Sequence, residues 1–343
     1  MTVAPGTRHA SSIAIIGVLF FIIGFFTWIN GPLITFVKLA FDLDEVKAFL
    51  VVFVFYISYF VLALPAAWAL KRTGLKKGLA LSLFVMAVGA ALFGELATQR
   101  WYAGALTGLF VIGGGLALLQ TAVNPYISIL GPIESAAQRI ALMGICNKIA
   151  GMLAPVLIGS LVLHGIGDLA AKVDIADATT KANLLNEFAA QIHTPYLVMA
   201  GVLVVVAIAI LFSSLPEIKP SEANAEAGES ASIGKQSVFQ FPHLWLGVLC
   251  LFVYVGVEVL AGDAIGTYGN GFGLPLDQTK FFTSFTLGAM LLGYLAGLVA
   301  IPRFVSQERY LSISAVLGML FAIAAYFTKG YVSVGFVAAL GFA

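Results

Sequence analysis

The feature that most constrains the fold is a series of long apolar stretches separated by short polar segments. Most stretches have about 20 residues or more, the length that an α-helix needs to cross the hydrocarbon of a bilayer. A helix satisfies its backbone N–H and C=O groups within one segment, which hydrocarbon requires because it holds no water. A transmembrane barrel would instead show alternating segments of about ten residues. We therefore predict an all-α polytopic membrane protein.

Composition agrees with this fold class and excludes others. Of 343 residues, 60% are hydrophobic and 10% are charged, whereas a soluble domain carries about 25% charged residues. A net charge of +1 gives no reason to expect nucleic acid as a partner. Cys146 and Cys250 both fall in predicted spans, so we expect free thiols and no disulfide framework. The four histidines show no metal-ligand spacing, and we expect neither a metal nor an organic cofactor.

The apolar stretches predict ten helical spans, at residues 12–37, 46–70, 78–97, 103–130, 139–163, 195–215, 243–268, 280–302, 309–328 and from 331 onward. The last stretch covers only 331–343, which is too short to cross a bilayer. We therefore expect the chain to end inside a tenth helix, with roughly two further helices missing. An inactive truncated product is one alternative that this expectation leaves open.

Two hydrophilic segments divide the chain. The segment 216–242 is rich in Ser, Ala, Glu and Gly, a composition typical of a flexible linker. It separates a six-helix N-terminal bundle, 1–215, from a partial C-terminal bundle of about four helices, 243–343. The second hydrophilic segment, 164–193, is predicted to be an extramembrane loop with short amphipathic helices.

Basic residues in the short loops predict the orientation. Lys71 and Arg72 follow the second span, Arg139 precedes the fifth, and Arg303 follows the eighth, all on one side. Because cytoplasmic loops carry an excess of Lys and Arg, this side is predicted to be cytoplasmic. The N-terminus and the linker 216–242 then also lie in the cytoplasm.

An internal repeat predicts two related halves. Residues 62–93 and 294–325 share a Gly/Ala-rich helix end, a short basic turn and an apolar helix, with Arg72 and Arg303 in corresponding places. Six spans, a cytoplasmic linker and a second set in parallel order resemble the layout of the major facilitator superfamily. In that superfamily the basic turn is the place of a cytoplasmic gating motif. The resemblance therefore implies a cytoplasmic gate at Lys71, Arg72, Arg139 and Arg303.

Three ionisable side chains are predicted to lie inside the membrane: Lys148, Glu258 and Asp263. At about 1.5 Å per residue, Lys148 is about 14 Å along its helix from Arg139, near the midplane. Glu258 falls slightly beyond the midplane on the seventh span, and Asp263 nearer the outer surface. Intramembrane charges tend to pair, so Lys148 and Glu258 could hold two halves in register. Alternatively the pair forms and breaks during transport, with a cation or proton at Glu258 competing with Lys148.

A second group of polar residues is suited to an uncharged hydroxylated ligand. Gln120 and Asn124 are four residues apart on one helix face, with Thr121 beside them. Pro125 frees the carbonyl of residue 121 and predicts a kink there. The same amides could instead bridge neighbouring helices, which is common for polar residues in membranes.

Weaker candidates lie on three other spans. Asn147 precedes Lys148 and could donate to and accept from a sugar hydroxyl. Asn30 precedes Gly31 and Pro32, where a break in the first span would expose backbone to a cavity. Tyr56 could stack on a sugar ring, although a tyrosine at such a place more often packs or anchors.

Two segments carry a more specific resemblance. "ALLQTAVNPYISILGP" followed by "QRIALMGICNKIAG" resembles the fucose:proton symporter family of the major facilitators, which includes bacterial glucose/galactose transporters. The resemblance implies a twelve-helix fold, a bacterial inner-membrane location and sugar uptake driven by an ion gradient. Members specialised for fucose use two carboxylates where this chain has Gly31 and Gln120. That proton route is therefore absent, and Gln120 favours a hexose or an amino sugar.

The sequence thus predicts a secondary active transporter and no enzyme. We expect it to import a hexose such as glucose or galactose, or an N-acetylhexosamine, by symport with H⁺ or Na⁺. We also expect a functional monomer. A fucose-like deoxysugar permease is the alternative within transporters. A channel or receptor fits the parallel repeat poorly, and a membrane enzyme would need a catalytic cluster that the sequence does not present.

Overall fold

The computed structural model describes residues 5–129, 136–217 and 241–343. We call the described residues up to 217 the N-half and those from 241 onward the C-half. The helices of the N-half are α1 (Pro5–Trp28), α2 (Asn30–Ala40), α3 (Glu45–Thr73), α4 (Leu75–Thr98), α5 (Tyr102–Ile129), α6 (Ala136–Leu161), α7 (Ile166–Ile175), α8 (Ala178–Ala190) and α9 (His193–Phe212). The helices of the C-half are α10 (Pro242–Asp263), α11 (Ile265–Gly271), α12 (Leu276–Thr279), α13 (Phe282–Arg303), α14 (Gln307–Phe327) and α15 (Gly330–Ala339).

Nine helical segments of the described chain are long and apolar enough to cross a membrane. They coincide with the first nine predicted spans, and no β-strand occurs in the ranges that the structure describes. The predicted all-α polytopic fold is therefore confirmed. Gly330–Phe342, where the tenth span was predicted, is a shorter apolar segment. The predicted linker 216–242 falls almost entirely on 218–240, outside the described residues, so the proposed domain boundaries stay a prediction.

Aspartate side chains cap the first turns of α3 and α8. Asp44 accepts a hydrogen bond of 2.8 Å from the backbone N–H of Lys47 at the start of α3. This bond, with the Lys47 ammonium, holds the pKa of Asp44 below its usual range. Asp177 caps α8 in the same way through Thr179 and Thr180. The two short helices predicted for the loop 164–193 are thus present as α7 and α8.

The first predicted span, 12–37, is divided into α1 and α2 at Ile29. Pro32 has no N–H to donate to the turn before it, which favours a break at this place. The backbone of Leu33 still donates to the carbonyl of Ile29 over 3.1 Å, so the chain turns little before it continues as α2. Pro125 has a weaker effect, because α5 continues through it to Ile129.

The predicted span 243–268 is wrong at its outer end, because α10 ends at Asp263 and α11 begins at Ile265. Two hydroxyl groups of α13 donate to carbonyls at this helix end, in place of the backbone N–H groups that a continuing helix would supply. Thr283 donates to the carbonyl of Gly262 over 2.8 Å, and Thr286 donates to that of Ala261 over 3.0 Å. Carbonyls at a helix end need such partners. The end of α10 is therefore fixed by its neighbour.

Glycines allow the closest helix contacts in the N-half. A Cβ atom added to Gly24 of α1 would lie 2.7 Å from the backbone carbon of Asn147 and 2.8 Å from its Cα, and closer still to its oxygen. Gly108 of α5 lies equally close to the backbone of Phe93 in α4. Within a bilayer the hydrophobic effect does not drive helices together, and small residues at their interfaces instead allow close van der Waals contact. α1 and α6 therefore pack backbone to backbone at Gly24.

The two halves meet mainly through α6 and α13, which run antiparallel. Phe281 covers Gly159 near the C-terminal end of α6, and the hydroxyl of Ser284 donates to the carbonyl of Met152 over 2.8 Å. Towards the N-terminal end of α6, the side predicted to be cytoplasmic, the ring of Tyr294 lies against Gly144. This interface brings α10, which neighbours α13, to the same midplane as α6.

Candidate functional site

Lys148 of α6 and Glu258 of α10 form an ion pair between the two halves. The Lys148 Nζ and Glu258 Oε1 atoms are 2.6 Å apart, and the side chains are 6% and 21% exposed. The sequence predicted both residues near the midplane, and the structure brings them together. A charge-assisted hydrogen bond of this length is strong where water is excluded. Tyr294 of α13 lies beside Glu258 on the cytoplasmic side.

The ring of Trp28, at the end of α1, lies against the Lys148 ammonium group of this pair. The Lys148 Nζ atom is 4.6 Å from the centre of its ring, within the range of a cation–π interaction. The ring is also held between glycines of both halves. Added Cβ atoms would lie 2.5 Å from the ring at Gly151 of α6 and within about 3.0 Å at Gly262 of α10. This packing of Trp28 was not predicted from the sequence, where Gly151 and Gly262 were its only signal.

Asp263, the last residue of α10, lies where the two halves meet on the side predicted to face outward. It is 2% exposed, and neither carboxylate oxygen has a hydrogen-bond partner among the described residues. The backbone N–H of Gly31 and the hydroxyl of Tyr56 face it without forming a hydrogen bond. A side chain at Gly31 would collide with Thr283 and come 3.5 Å from the Asp263 Cα atom. Three helices of both halves therefore enclose this carboxyl group.

The candidates on α5 are less enclosed. Gln120 and Thr121 are half-buried, and Asn124 is exposed, on the helix face that the sequence predicted for them. The Thr121 hydroxyl donates to the carbonyl of Ala117 over 2.7 Å, so part of its hydrogen-bonding capacity is already used. The Gln120 and Asn124 amides have greater capacity for a ligand because each carries two donors and an acceptor.

The other ligand candidates separate into two places. Asn147 directs its amide towards the carbonyl of Phe20 in α1, over a long 3.5 Å. Asn30 is fully buried and donates to the carbonyl of Thr27 over 3.1 Å, but its side-chain oxygen has no partner among the described residues. The Tyr56 hydroxyl is also buried without a hydrogen-bond partner. Tyr56 and Gly31, the residue after Asn30, thus lie beside Asp263, and Asn147 lies in the α1–α6 contact.

A groove between α1 and α6 is lined by none of these residues. It measures about 360 Å³, and its lining is almost wholly apolar, formed by Ile13, Ala14, Gly17, Val18, Phe21, Leu142, Met143 and Cys146. A sugar needs polar groups that fix its hydroxyls. This groove therefore does not have the character of the ligand site.

The four predicted gate residues lie at helix ends on the side predicted to be cytoplasmic. Arg139 is buried and its Nε atom donates to the carbonyl of Ile127 over 2.9 Å, which ties α6 to α5. The Arg72 guanidinium lies 3.8 Å from the centre of the Trp68 ring, on its own helix. Lys71 and Arg303 are exposed. The role of these residues as a gate stays a prediction.

On the opposite, outer side, an acid and a base of the C-half cap helices of the N-half. The Asp277 carboxylate accepts from the backbone N–H of Gly167 over 3.0 Å. Lys280 donates to the carbonyl of Leu163 over 2.7 Å and to Asp277 over 2.9 Å. An acid at a helix start and a base just beyond a helix end both complement the helix dipole. Sequence reasoning missed this contact, whose only signal was the spacing of Asp277 and Lys280 before a span.

Comparison with known proteins supports the reading of this fold. The model for the Major Facilitator Superfamily matches residues 16–343. The glucose/galactose transporter of Brucella abortus biovar 1 (strain 9-941) is 32% identical over 326 residues, which cover 94% of this chain and 74% of that protein. The L-fucose-proton symporter of Escherichia coli (strain K12) is 28% identical over 319 residues, covering 90% and 72%.

A solved structure extends the comparison to three dimensions. The crystal structure of the transporter FucP in the outward conformation superposes with a TM-score of 0.74 and 26% identity, covering 98% of this chain and 81% of that one. The match includes the helices of both halves that carry Lys148, Glu258 and Asp263. By sequence and by structure, this multi-pass membrane protein belongs to the Major Facilitator Superfamily.

Proposed function

We propose that the protein is a secondary active transporter that imports a hexose, or an N-acetylhexosamine, by symport with an ion. The observation that carries this proposal is the ion pair between Lys148 and Glu258, which joins the two halves at the midplane. Relatives named glucose/galactose transporter and L-fucose-proton symporter support the sugar as substrate. We further propose a bacterial inner-membrane location with the N-terminus in the cytoplasm, and a functional monomer.

The pair gives the transporter an element that can have two states. In the structure Glu258 neutralises Lys148, and the buried charges hold α6 against α10. A cation or proton that binds Glu258 would weaken this attraction and allow the halves to rearrange. Only an interaction that differs between the two conformations can shift their populations. The ion would thereby change the conformation to which the sugar is bound.

The half-buried amide of Gln120 and the exposed amide of Asn124 are the proposed sugar contacts on α5. We expect Gln120→Ala to weaken sugar binding about tenfold, because a lost hydrogen bond and an unpaired ligand hydroxyl cost about 1–2 kcal/mol. Binding of labelled sugar to purified protein measures the change. Thr107→Val is the matched control, since Thr107 is an exposed hydroxyl of the same helix that donates to the carbonyl of Ala103 and is no sugar candidate. Normal affinity in Gln120→Ala would remove this assignment.

Uptake of a panel of labelled sugars into proteoliposomes tests the proposed substrate class. We expect accumulation of glucose, galactose or an N-acetylhexosamine against a gradient, and saturable counterflow with the same sugar. Preferential uptake of fucose would favour the deoxysugar permease instead. Flux that does not saturate would indicate a channel, because alternating access requires a ligand to be bound and released in each cycle.

A further inference from the structure

Asp263 is a buried carboxyl group without a counter-ion among the residues that the structure describes. Lys148 and Glu258 neutralise each other, and the buried Lys280 is paired with Asp277. Asp263 is 2% exposed, and the structure gives it no ion pair and no hydrogen bond within the ranges described. An ionised carboxylate in such a place costs several kcal/mol, whereas its neutral form needs only ordinary hydrogen bonds.

The groups that surround Asp263 do not resemble the ligands of a metal ion. The backbone N–H of Gly31 and the hydroxyl of Tyr56 face its carboxyl group. The Thr283 hydroxyl, which lies next to it, already donates to the carbonyl of Gly262. Sodium and similar cations need several oxygen ligands, and an N–H group repels them. A proton needs no such ligand set, because it binds the carboxylate directly.

We propose that Asp263 is a second proton-binding group of the transporter, besides Glu258, and takes up its proton when the two halves close on the side predicted to face outward. The inference rests on the proposed symport and selects H⁺ as its coupling ion. One proton from outer water joins the carboxylate and makes a neutral carboxyl group, which can then be buried between α2, α3 and α10. Loss of the proton to water on the cytoplasmic side leaves a buried carboxylate, whose dehydration then favours separation of the halves on the outer side and its return to water.

The position of Asp263 explains how its protonation could control the closing of the two halves on the outer side. A Cβ atom added to Gly31 of α2 would lie 3.5 Å from the Asp263 Cα atom, and both carboxylate oxygens are buried, so closing removes water from the carboxyl group. A carboxylate that stays ionised would oppose closing by the cost of its dehydration. Separation of the halves on the outer side would return the group to water, where carboxylates ionise near pH 4.

Two further titratable groups lie close enough to Asp263 to influence its protonation. Glu258 lies five residues earlier on α10, and Tyr56 faces it from α3; α2 and α13 contribute the Gly31 N–H and the Thr283 hydroxyl, which do not titrate. Lys148 of α6 acts on Glu258, to which it is bonded. A response that belongs to Asp263 must therefore persist in Glu258→Gln and disappear in Asp263→Asn.

Infrared difference spectroscopy of the purified protein tests the proposal without transport. A protonated carboxyl group has a C=O stretching band that a carboxylate lacks, and the band shifts in D₂O. At neutral pH we expect this band in the unchanged protein and in Glu258→Gln, and its loss in Asp263→Asn. Asp277→Asn is the matched control and should keep the band, since its carboxylate is paired with Lys280.

The result that would overturn the proposal is the absence of the band in the unchanged protein, or its persistence in Asp263→Asn. Because the unchanged protein alone can give the first result, the proposal remains testable even if the variant does not fold. Accumulation of sugar in proteoliposomes adds a second readout. We expect Asp263→Asn to lose the dependence of accumulation on a pH gradient. A protein that shows the band but transports no sugar would contradict the proposed function and leave the proton site intact.

Discussion

Glu258→Gln is expected to abolish the uphill accumulation of sugar while counterflow continues. The substitution keeps the size of the side chain and removes its charge, so Lys148, only 6% exposed, is left as an ammonium without its partner. Breaking a buried pair on one side typically costs about 3–5 kcal/mol, and the cation–π contact with Trp28 compensates for only part of that. Labelled-sugar uptake and counterflow in the same proteoliposomes measure the two activities separately.

A double variant separates coupling from simple stabilisation. Lys148→Met combined with Glu258→Gln leaves no unpaired charge, and such replacements are often neutral for stability. If the pair only holds the halves in register, this variant should recover both its thermal stability and its uphill accumulation. We expect stability to recover and accumulation to remain lost. Accumulation at the level of the unchanged protein would contradict a coupling role for the pair.

Gly24→Ala is expected to produce the second large effect, a loss of folded protein. An added Cβ would overlap the backbone oxygen of Asn147 and lie 2.7 Å from its carbonyl carbon. Backbone atoms cannot turn away as the end of a side chain can, so α1 must move from α6. Overpacking of this kind costs about 3 kcal/mol, at the upper end of the usual range. The midpoint of thermal unfolding in detergent, followed by circular dichroism, measures the loss.

Gly201→Ala in α9 is the matched control for this substitution. Gly201 lies within an apolar helix, as Gly24 does, but nothing lies within 4 Å of the position of its added Cβ atom. We expect an unchanged or slightly higher unfolding midpoint, because Ala favours a helix more than Gly does. Equal losses in both variants would mean that close backbone packing at Gly24 is not the cause.

Most of the fold could be predicted from the sequence because the bilayer acts on each span separately. Length and apolar character alone locate nine spans, and the structure agrees with them. The helix end at Asp263 could not be predicted in this way. It depends on hydroxyl groups of Thr283 and Thr286, which lie 20 and 23 residues later in the chain. Local pattern contains no information about such a partner.

The candidate site was predicted unevenly for the same reason. Lys148 and Glu258 stand out because a charge in hydrocarbon needs a partner, and few were available. Asp263 was predicted nearer the outer surface, where a carboxylate would meet water, but the approach of Gly31 and Tyr56 buries it. Trp28 gave no signal by itself, since a tryptophan near a membrane surface is common. Its role depends on two glycines from different halves.

The contact of Trp28 with Gly151 and Gly262 has a consequence for the movement between conformations. A flat indole ring touches one residue without a side chain on α6 and another on α10. Interlocked side chains must change rotamers before two helices can rotate past each other, and each such change adds to an activation barrier. The ring needs none at these two glycines, and its side-chain contacts are with Leu287 and Met290 of α13 and Met152 of α6. The glycines therefore lower the barrier for movement of α6 and α10 against Trp28, while the contacts with α13 still have to rearrange.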